Sequence, residues 1–360
     1  MKNILTIILL IIVSTAASFA QSDKIQTAKI DVFVREKMKS KHIPGLSLAV
    51  VRDGKIVVAK GYGMSNLELS TPATENTAFA LYSITKTFTG VATMMLVEEG
   101  KISLEDPISK YLADLPDNWK PVTIRQLLNH TSGIKDFAPI LFESGDVLRD
   151  YKQAEVLKLV AADPLDFPSG ERWNYTNTGF YLLGMEIEKV SGKTYEQFLQ
   201  ERIFVPLGMR DTRFENFSEI IPNRANGYTW QKTGFRNAVR ISPTLSFSTA
   251  GLVSTVLDLA KWDAALSSEK LLKKSTLNQM WTNAKLNNGQ IVSEYGLGFG
   301  LTPFRGHKRI GHLGGSSGFA TAISRFVDDK LTVIVLSNAD QEGFLIGDIA
   351  NEIAAYYFSK

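Results

Sequence analysis

The chain has 360 residues, of which 44% are hydrophobic and 21% charged, so its composition is that of a globular protein and excludes a disordered chain. It contains no cysteine, which excludes disulfides, a cysteine nucleophile, thiolate metal sites and a lipid anchor on cysteine. Lys and Arg total 40 against 37 Asp and Glu, a near-balance that gives no support to nucleic-acid binding or to a polybasic membrane surface.

Residues 1–20 are predicted to be a secretory signal peptide. A lysine precedes the apolar run 4–13, and small residues follow it as far as Ala20. A basic start, an apolar segment of about 7–15 residues and a small-x-Ala end are typical of such peptides. The alternative is a membrane anchor, but the run is shorter than the ~20 residues that a span requires. We therefore expect cleavage after Ala20, a periplasmic or secreted mature chain and no stable membrane anchor.

Strand signals occur toward both ends of the chain, and helical signals fill the middle. A helix is expected over 25–42, and an Asp-Gly turn at 53–54 indicates a hairpin of strands 46–51 and 56–59. The remaining expected elements near the C-terminus are strands over 297–301, 320–326 and 331–336 and a closing helix over 344–357.

This order of elements predicts an α+β fold. The simplest assembly is an antiparallel five-stranded sheet built from about 25–65 and 290–360 and flanked by the terminal helices. An all-α region over about 66–289 would be inserted between the second and third strands. A cleft between the sheet and this inserted region is the expected place for a functional site.

Ser83 is the candidate nucleophile, because the helix that it opens places a lysine beside it. Apolar side chains recur at helical spacing over 84–95, and Gly100 ends the helix. Lys86 lies three residues after Ser83, so its amine can reach the hydroxyl. A lysine deprived of water loses its preference for charge and can act as a base. This is the S-x-x-K arrangement of serine acyl enzymes.

The same tetrapeptide occurs twice more, so it is weak evidence by itself. Ser132 is followed by Gly133, which spoils a rigid helical geometry, and Ser267 lies in a polar stretch with no apolar face. The alternative for Ser83 is a helix-capping serine with a solvated Lys86.

A second element strengthens the assignment through a family resemblance. Residues 167–184 read FPSGERWNYTNTGFYLLG and resemble the Y-x-N element of class C β-lactamases, D-alanyl-D-alanine carboxypeptidases and related esterases. Tyr175 and Asn177 occupy its two functional positions. The resemblance extends over about 30–355, and it implies a β-lactamase/transpeptidase-like fold and a serine hydrolase.

The third element of that family is K-T-G, or a relative such as H-x-G, on a strand that lines the cleft. Residues 232–234 match it literally, and residues 311–315, GHLGG, match the variant. We favour His312, because it directly precedes the last strand pair, whereas Lys232 lies within the inserted region and is expected in a turn.

The resemblance implies acyl transfer through Ser83, with Lys86 and Tyr175 sharing the proton transfers. Asn177 would orient a substrate carbonyl or side amide, unless it only braces its loop. The substrate oxyanion would be held by the N–H groups of Ser83 and Gly315, with the neighbouring Gly314 also part of this site.

His312 is the informative departure from the lactamase pattern, in which a lysine supplies a fixed positive charge. A histidine with an ordinary pKa near 6.5 is mostly neutral at pH 7, so it can donate a hydrogen bond but anchors an anion weakly. This disfavours β-lactam hydrolysis and, less strongly, D-peptide recognition. The alternative is a strand histidine bonded to a backbone carbonyl. His42, His130 and His307 are expected to be structural, and no zinc pattern or cofactor motif is present.

The leading hypothesis is therefore an exported serine hydrolase acting on a small molecule or peptide, with short acyl esters, D-amino-acid peptides and β-lactams as candidate substrates. A non-catalytic, penicillin-binding-like sensor is the alternative, disfavoured because the three expected catalytic side chains are all present. A nucleic-acid or adhesion module has no basic patch or repeat to support it. Trp173 and the aromatic residues of 228–230 could wall the cleft, although aromatic residues are more often core. Oligomeric state is left open.

Overall fold

An antiparallel sheet is the central element of the computed structural model, which describes residues 26–292, 294–340 and 344–358. The predicted signal peptide, 1–20, lies outside the described residues. Within them, no helix combines the length and hydrophobicity needed to cross a bilayer.

The sheet brings the two ends of the described chain side by side, in the order β3 (Thr71–Pro72), β2 (Lys55–Asn66), β1 (Gly45–Arg52), β11 (Leu331–Ser337), β10 (Phe319–Phe326) and β9 (Arg309–Ser316). The two central strands, β1 and β11, are buried almost throughout and pair antiparallel, with Leu48 opposite Val335. Burial on both faces explains their nearly continuous apolar sequences.

The predicted α+β class and antiparallel sheet are confirmed. The hairpin turns at Asp53 and Gly54, both with positive φ, as the Asp-Gly signal predicts. The terminal helices, α1 (26–40) and α12 (Phe344–Ala355), pack on one face of the sheet, where they bury apolar side chains such as Ile30 and Ile349.

The region between β3 and β9 is mainly helical, and α2 is its buried centre. Its helices are α2 (Thr85–Glu98), α3 (Ile124–Leu128), α4 (Ala138–Ser144), α5 (Gln153–Lys158), α6 (Asn177–Ser191), α7 (Tyr195–Leu199), α8 (Val205–Leu207), α9 (Pro243–Ala250), α10 (Val256–Leu266) and α11 (Lys274–Met280). The structure adds two small sheets that the sequence did not predict, one of β4 (Phe79–Ala80), β8 (Leu252–Ser254) and β5 (Arg213–Phe214), the other of β6 (Tyr228–Gln231) and β7 (Gly234–Asn237).

The predicted strand over 297–301 was wrong. This segment is an irregular loop that touches β9 through a single bridge, Gly300 to Gly311, and β9 itself is the fifth long strand. The reason is its glycine content. Gly298 has a φ of +81°, and a Cβ there would lie 3.0 Å from the Lys86 carbonyl oxygen, so the chain bends here against α2.

Glu186 is an ionisable residue inside the helical region. It lies on α6, fully buried, and neither carboxyl oxygen has a hydrogen-bond partner among the described residues. Burial raises its pKa from 4.5 to about 8, because the charged form is desolvated. At neutral pH the folded protein therefore holds a protonated carboxyl among apolar side chains.

We predict that Glu186 makes the fold less stable as the pH rises. The folded state keeps this proton up to about pH 8, whereas the unfolded chain releases it near pH 4.5, so the free energy of unfolding falls across this interval. Glu186→Gln should remove a fall of about 5 kcal/mol over this interval, measured by urea denaturation at several pH values.

The control is Glu188→Gln on the same helix, since that carboxylate accepts hydrogen bonds from Gln153 and from the backbone of Tyr195. The control should retain the pH dependence of the wild type. Equal pH dependence in wild type and Glu186→Gln would contradict the prediction.

Candidate active site

Ser83 lies in the turn that leads into α2, the central helix. The turn is a single 3₁₀ element, Tyr82–Ile84, and α2 continues directly from Thr85. Tyr82 has a φ of +48°, a strained conformation for a residue with a side chain, and it directs the chain sharply into the turn. Ser83 is partly exposed at the start of the helix, where backbone N–H groups have no helical partner.

The Lys86 amine is fully buried and has three oxygen neighbours. Its Nζ lies 3.2 Å from Ser83 Oγ, 2.8 Å from Asn177 Oδ1 and 3.1 Å from the Thr249 carbonyl oxygen. Thr249 is in the last turn of α9, where helical carbonyls lack intrahelical partners. Burial lowers the pKa of Lys86 to about 7, although the carboxylate of Asp136 opposes the shift. The predicted S-x-x-K pair is therefore in contact.

Asp136 fixes the orientation of Asn177 and was missed by the sequence analysis. It accepts hydrogen bonds from Asn177 Nδ2 at 3.0 Å and from the Asn177 backbone N–H at 3.1 Å. With Nδ2 held in this way, Oδ1 must face Lys86. Burial raises the pKa of Asp136. The available sequence signal was a lone acidic residue just before a Pro-containing helix start, where it also accepts from the Ala138 N–H.

Tyr175 packs over the lysine. Its ring centroid lies 4.9 Å from Lys86 Nζ, and together with Ser83 it lines both cavities of the site. Burial raises the pKa of Tyr175 above its usual range, and the nearby Ser83 hydroxyl only partly opposes this. Tyr175 is therefore a protonated phenol at neutral pH. Beneath it lies His130, with a ring centroid 4.3 Å away, so this structural histidine supports the floor of the site.

His312 lies on β9 beside the site, but its two ring nitrogens are both engaged. Nδ1 is 2.6 Å from the Leu313 carbonyl oxygen and must donate to it, so Nε2 accepts from the Tyr295 hydroxyl at 2.9 Å. Burial, with a contribution from Lys86, lowers the pKa of His312 to about 4. The expectation that this ring could donate a hydrogen bond to a substrate was wrong, because its one proton is used within the protein. The stated alternative, a strand histidine bonded to a backbone carbonyl, is what the structure shows. Tyr295 was missed, because it lies just before the predicted strand and its contact with His312 is a tertiary one.

The glycines after His312 allow β9 to approach the nucleophile. A Cβ on Gly314 would lie 2.1 Å from the Leu81 carbonyl oxygen and 3.1 Å from the Ser83 nitrogen, so any side chain would push strand and turn apart. Gly315 follows, exposed to the cleft and facing the same cavity as Ser83. The H-x-G element and the S-x-x-K element are thus adjacent in space.

The other S-x-x-K matches do not form pairs. Ser132 Oγ accepts from the Ile134 N–H while Lys135 pairs with Asp163, and Ser267 Oγ accepts from Arg325. Lys232 occupies the turn between β6 and β7, as predicted.

Two cavities open on Ser83, with volumes of about 550 and 220 Å³. Trp173 lines the larger one, whereas Trp230 stacks on His42 elsewhere. Across 26–292, 294–340 and 344–358 no cluster of three or more His, Asp and Glu side chains could hold a metal ion.

The chain is similar to known proteins along most of its length. A family described as Beta-lactamase matches residues 30–356. A penicillin-binding protein of Bacillus subtilis (strain 168) is 30% identical over 327 residues, which cover 85% of this chain and 71% of that protein.

Two solved structures are similar along nearly the whole chain. The octameric penicillin-binding protein homologue from Pyrococcus abyssi is 33% identical with a TM-score of 0.79, covering 91% of this chain and 76% of its own. The D-amino acid amidase from Ochrobactrum anthropi SV3, solved with L-phenylalanine amide, is 25% identical with a TM-score of 0.81, covering 92% of this chain and 98% of its own.

We predict that the reactivity of Ser83 follows the protonation of Lys86. Labelling by a fluorophosphonate, a reagent for nucleophilic serines, should rise with pH around a midpoint of about 7. Asp136→Asn keeps an acceptor oxygen for Asn177 but removes the negative charge that raises the pKa of Lys86. The midpoint should therefore move to lower pH, as measured by gel fluorescence over a pH series.

Asp163→Asn is the matched control, since Asp163 pairs with Lys135 outside the site. It should leave the midpoint where the wild type has it. A midpoint that does not move in Asp136→Asn would contradict the electrostatic link to Lys86.

Proposed function

The chain belongs to the beta-lactamase family, and we propose that it is an exported serine hydrolase that cleaves an ester or amide through an acyl-enzyme on Ser83. The observation that carries the proposal is the contact of Ser83 Oγ with the buried amine of Lys86 at 3.2 Å. A buried amine beside a hydroxyl is the arrangement that activates a serine nucleophile. Export is supported by the composition of residues 1–20 alone and stays a prediction.

The neighbours of Lys86 suit a neutral amine. A neutral amine has two N–H bonds and one lone pair. The Asn177 and Thr249 oxygens accept the two N–H bonds, so the lone pair is left facing the Ser83 hydroxyl. Because Tyr175 keeps its proton at neutral pH, we assign the base to Lys86 and make Tyr175 the proton relay to the leaving group.

The reaction then takes place in two balanced steps. Ser83 Oγ attacks the substrate carbonyl carbon as its proton moves to Lys86. The bond to the leaving group breaks, and the leaving group departs with that proton by way of Tyr175. Water later gives its hydroxyl to the acyl carbon and its proton, through the same side chains, to Ser83 Oγ, which releases a carboxylic acid. The oxyanion of each tetrahedral intermediate would accept from the N–H groups of Ser83 and Gly315.

The neutral state of His312 limits the charge that we expect on the substrate. Its ring is neutral and both nitrogens are engaged, so no cation stands beside the nucleophile on this strand. Arg309 lies three residues away on β9, ~10 Å along the strand, and its guanidinium donates to the Thr302 carbonyl and to Asn351. We therefore propose neutral esters and amides as substrates, in preference to β-lactams and to peptides whose terminal carboxylate adjoins the scissile bond.

Ser83→Ala should abolish acyl-enzyme formation. The experiment is intact mass spectrometry of the protein after brief incubation with p-nitrophenyl acetate and, separately, with D-phenylalanine amide and benzylpenicillin. We expect an acyl adduct or turnover with the first two in the wild type, and a loss of at least about 10³-fold in Ser83→Ala with unchanged folding.

An adduct or turnover with none of the three compounds would indicate a non-catalytic protein. Rapid production of penicilloic acid would instead identify a β-lactamase and contradict the preference inferred from His312.

His312→Lys should shift selectivity toward carboxylate-bearing substrates. A lysine at 312 would place a cation where the wild type has a neutral ring, which favours a substrate anion. We expect the ratio of the penicillin acylation rate to the ester acylation rate to rise by about tenfold. Both rates are measured from the mass of the acylated protein in samples quenched at fixed times. His312→Gln, which is uncharged, is the control and should leave the ratio low. A ratio that is the same in both variants would show that charge at this position does not select the substrate.

A further inference from the structure

Another cavity lies at the opposite end of the strands from Ser83. Its volume is about 630 Å³, and it is lined by α10, α11 and the paired ends of β10 and β11, where Phe326 is opposite Leu331. On β10, Phe326 is six residues from Ala320, which is opposite Gly315, so about 20 Å of strand separates this cavity from the nucleophile. The cavity shares no lining residue with the two that open on Ser83, as far as the described residues go.

Two hydrogen-bond donors in the wall of this cavity lack acceptors. Arg325 is buried, and its Nη1 has no hydrogen-bond partner among the described residues. The indole Nε1 of Trp281 is also buried without a partner in the described part of the chain, and the Trp281 ring centroid lies 5.1 Å from the Arg325 guanidinium carbon. Buried polar groups are nearly always hydrogen-bonded, so two neighbouring unpaired donors in one cavity indicate a ligand that accepts hydrogen bonds.

The other nitrogens of Arg325 hold its guanidinium in place. Nε donates to Asp263 Oδ1 at 2.6 Å and Nη2 donates to Ser267 Oγ at 2.8 Å, while the same Asp263 oxygen also accepts from Thr332. This ion pair is almost completely buried, with 2% of the Arg325 side chain and 7% of the Asp263 side chain exposed. Nη1 is therefore fixed in position, and its two N–H bonds and the one of Trp281 are left for a ligand.

The charges around the cavity favour a ligand with a single negative charge. A carboxylate has two acceptor oxygens and no donor, which suits three unpaired N–H bonds. The lining contains as many acidic as basic side chains, so a dianion such as phosphate would meet no excess of positive charge. The basic ones are Lys274, Lys308, Arg325 and Lys330, and the acidic ones are Asp53, Asp263, Glu269 and Asp328.

The rest of the lining is largely apolar, which favours an organic ligand over an inorganic ion. Its apolar side chains include Val51, Leu266, Leu277, Phe326, Val327 and Leu331. Apolar ligand surface buried against them contributes about 25 cal/mol per Å². At ~30 Å³ for each atom of the size of a water molecule, the cavity holds up to roughly twenty non-hydrogen atoms.

We propose that the cavity between α10, α11 and the end of β10 binds an organic monocarboxylate with an apolar body, and that the carboxylate accepts hydrogen bonds from Arg325 Nη1 and Trp281 Nε1. The acid stabilises the folded protein in proportion to its concentration, because the unfolded chain has no such cavity. This site is separate from Ser83, and it does not depend on the serine hydrolase function proposed above.

Nuclear magnetic resonance of the indole N–H groups tests the location, with octanoate as the probe. The chain has five tryptophans, and the signal of Trp281 is identified by its loss in Trp281→Phe. Octanoate should shift the Trp281 signal in a saturable manner and leave unchanged that of Trp230, which stacks on His42 elsewhere. A shift confined to Trp173, which lines the larger cavity at Ser83, would overturn the proposal, as would the absence of any shift.

Two further probes test the chemistry of the ligand. Octanol has the same chain without the charge, and inorganic phosphate has charge without the chain. Each should bind at least about tenfold more weakly than octanoate, because each lacks one part of the interaction. Octanol binding as tightly as octanoate would show that the carboxylate is not recognised. Phosphate binding as tightly would show that the apolar wall is not used, and either result would overturn the proposal.

Trp281→Phe tests the donors, since it keeps an aromatic ring and removes one N–H. The Kd of octanoate, measured by isothermal titration calorimetry, should rise about tenfold. Trp230→Phe is the matched control and should keep the wild-type Kd. Arg325 is unsuitable for this test, because its loss would leave the buried Asp263 carboxylate without its ion pair. An unchanged Kd in Trp281→Phe would contradict the assignment of the carboxylate to these donors.

Discussion

The burial of one amine is the constraint on which the rest of this structure depends. Removing Lys86 from water destabilises its charge, and the protein compensates with hydrogen bonds from elements far apart in the sequence. Asn177 begins α6, Thr249 lies near the end of α9, and Asp136 precedes α4. Each of these helices therefore has one terminus positioned at the lysine, and the tightly packed core behind them holds the termini in place.

A second constraint is the close approach of backbone to backbone at the nucleophile. Gly314 lets β9 pass within contact of the turn that carries Ser83, and Tyr82 adopts a strained conformation to make that turn. Backbone strain such as the positive φ of Tyr82 persists only where the surrounding structure holds the conformation in place, and it is most common at functional sites. The sheet therefore helps to set the position of the Ser83 backbone N–H, in addition to packing against the terminal helices.

The sequence allowed prediction wherever a motif is local. Ser83 and Lys86 are three residues apart, so helical geometry alone brings them together, and the Asp-Gly hairpin follows from turn chemistry. Prediction was wrong at 297–301, where glycines that serve a close contact with α2 looked like part of a strand. Asp136 and Tyr295 were missed because their function lies in tertiary contacts. The neutral state of His312 was predicted, and the bond of its ring to a backbone carbonyl was the stated alternative. The sequence could not choose between a free and an engaged ring, because that bond depends on a rotamer.

The separation of the site's parts along the chain has a consequence for its biosynthesis. Lys86 and Gly314 are more than two hundred positions apart, so the lysine is complete in sequence long before β9 exists. In an unfolded or partly synthesised chain its pKa is the ordinary value, about 10.4, and the amine is charged and unable to take a proton. On the serine hydrolase function proposed above, the nascent polypeptide is unreactive, and Ser83 becomes a nucleophile only after folding has buried Lys86.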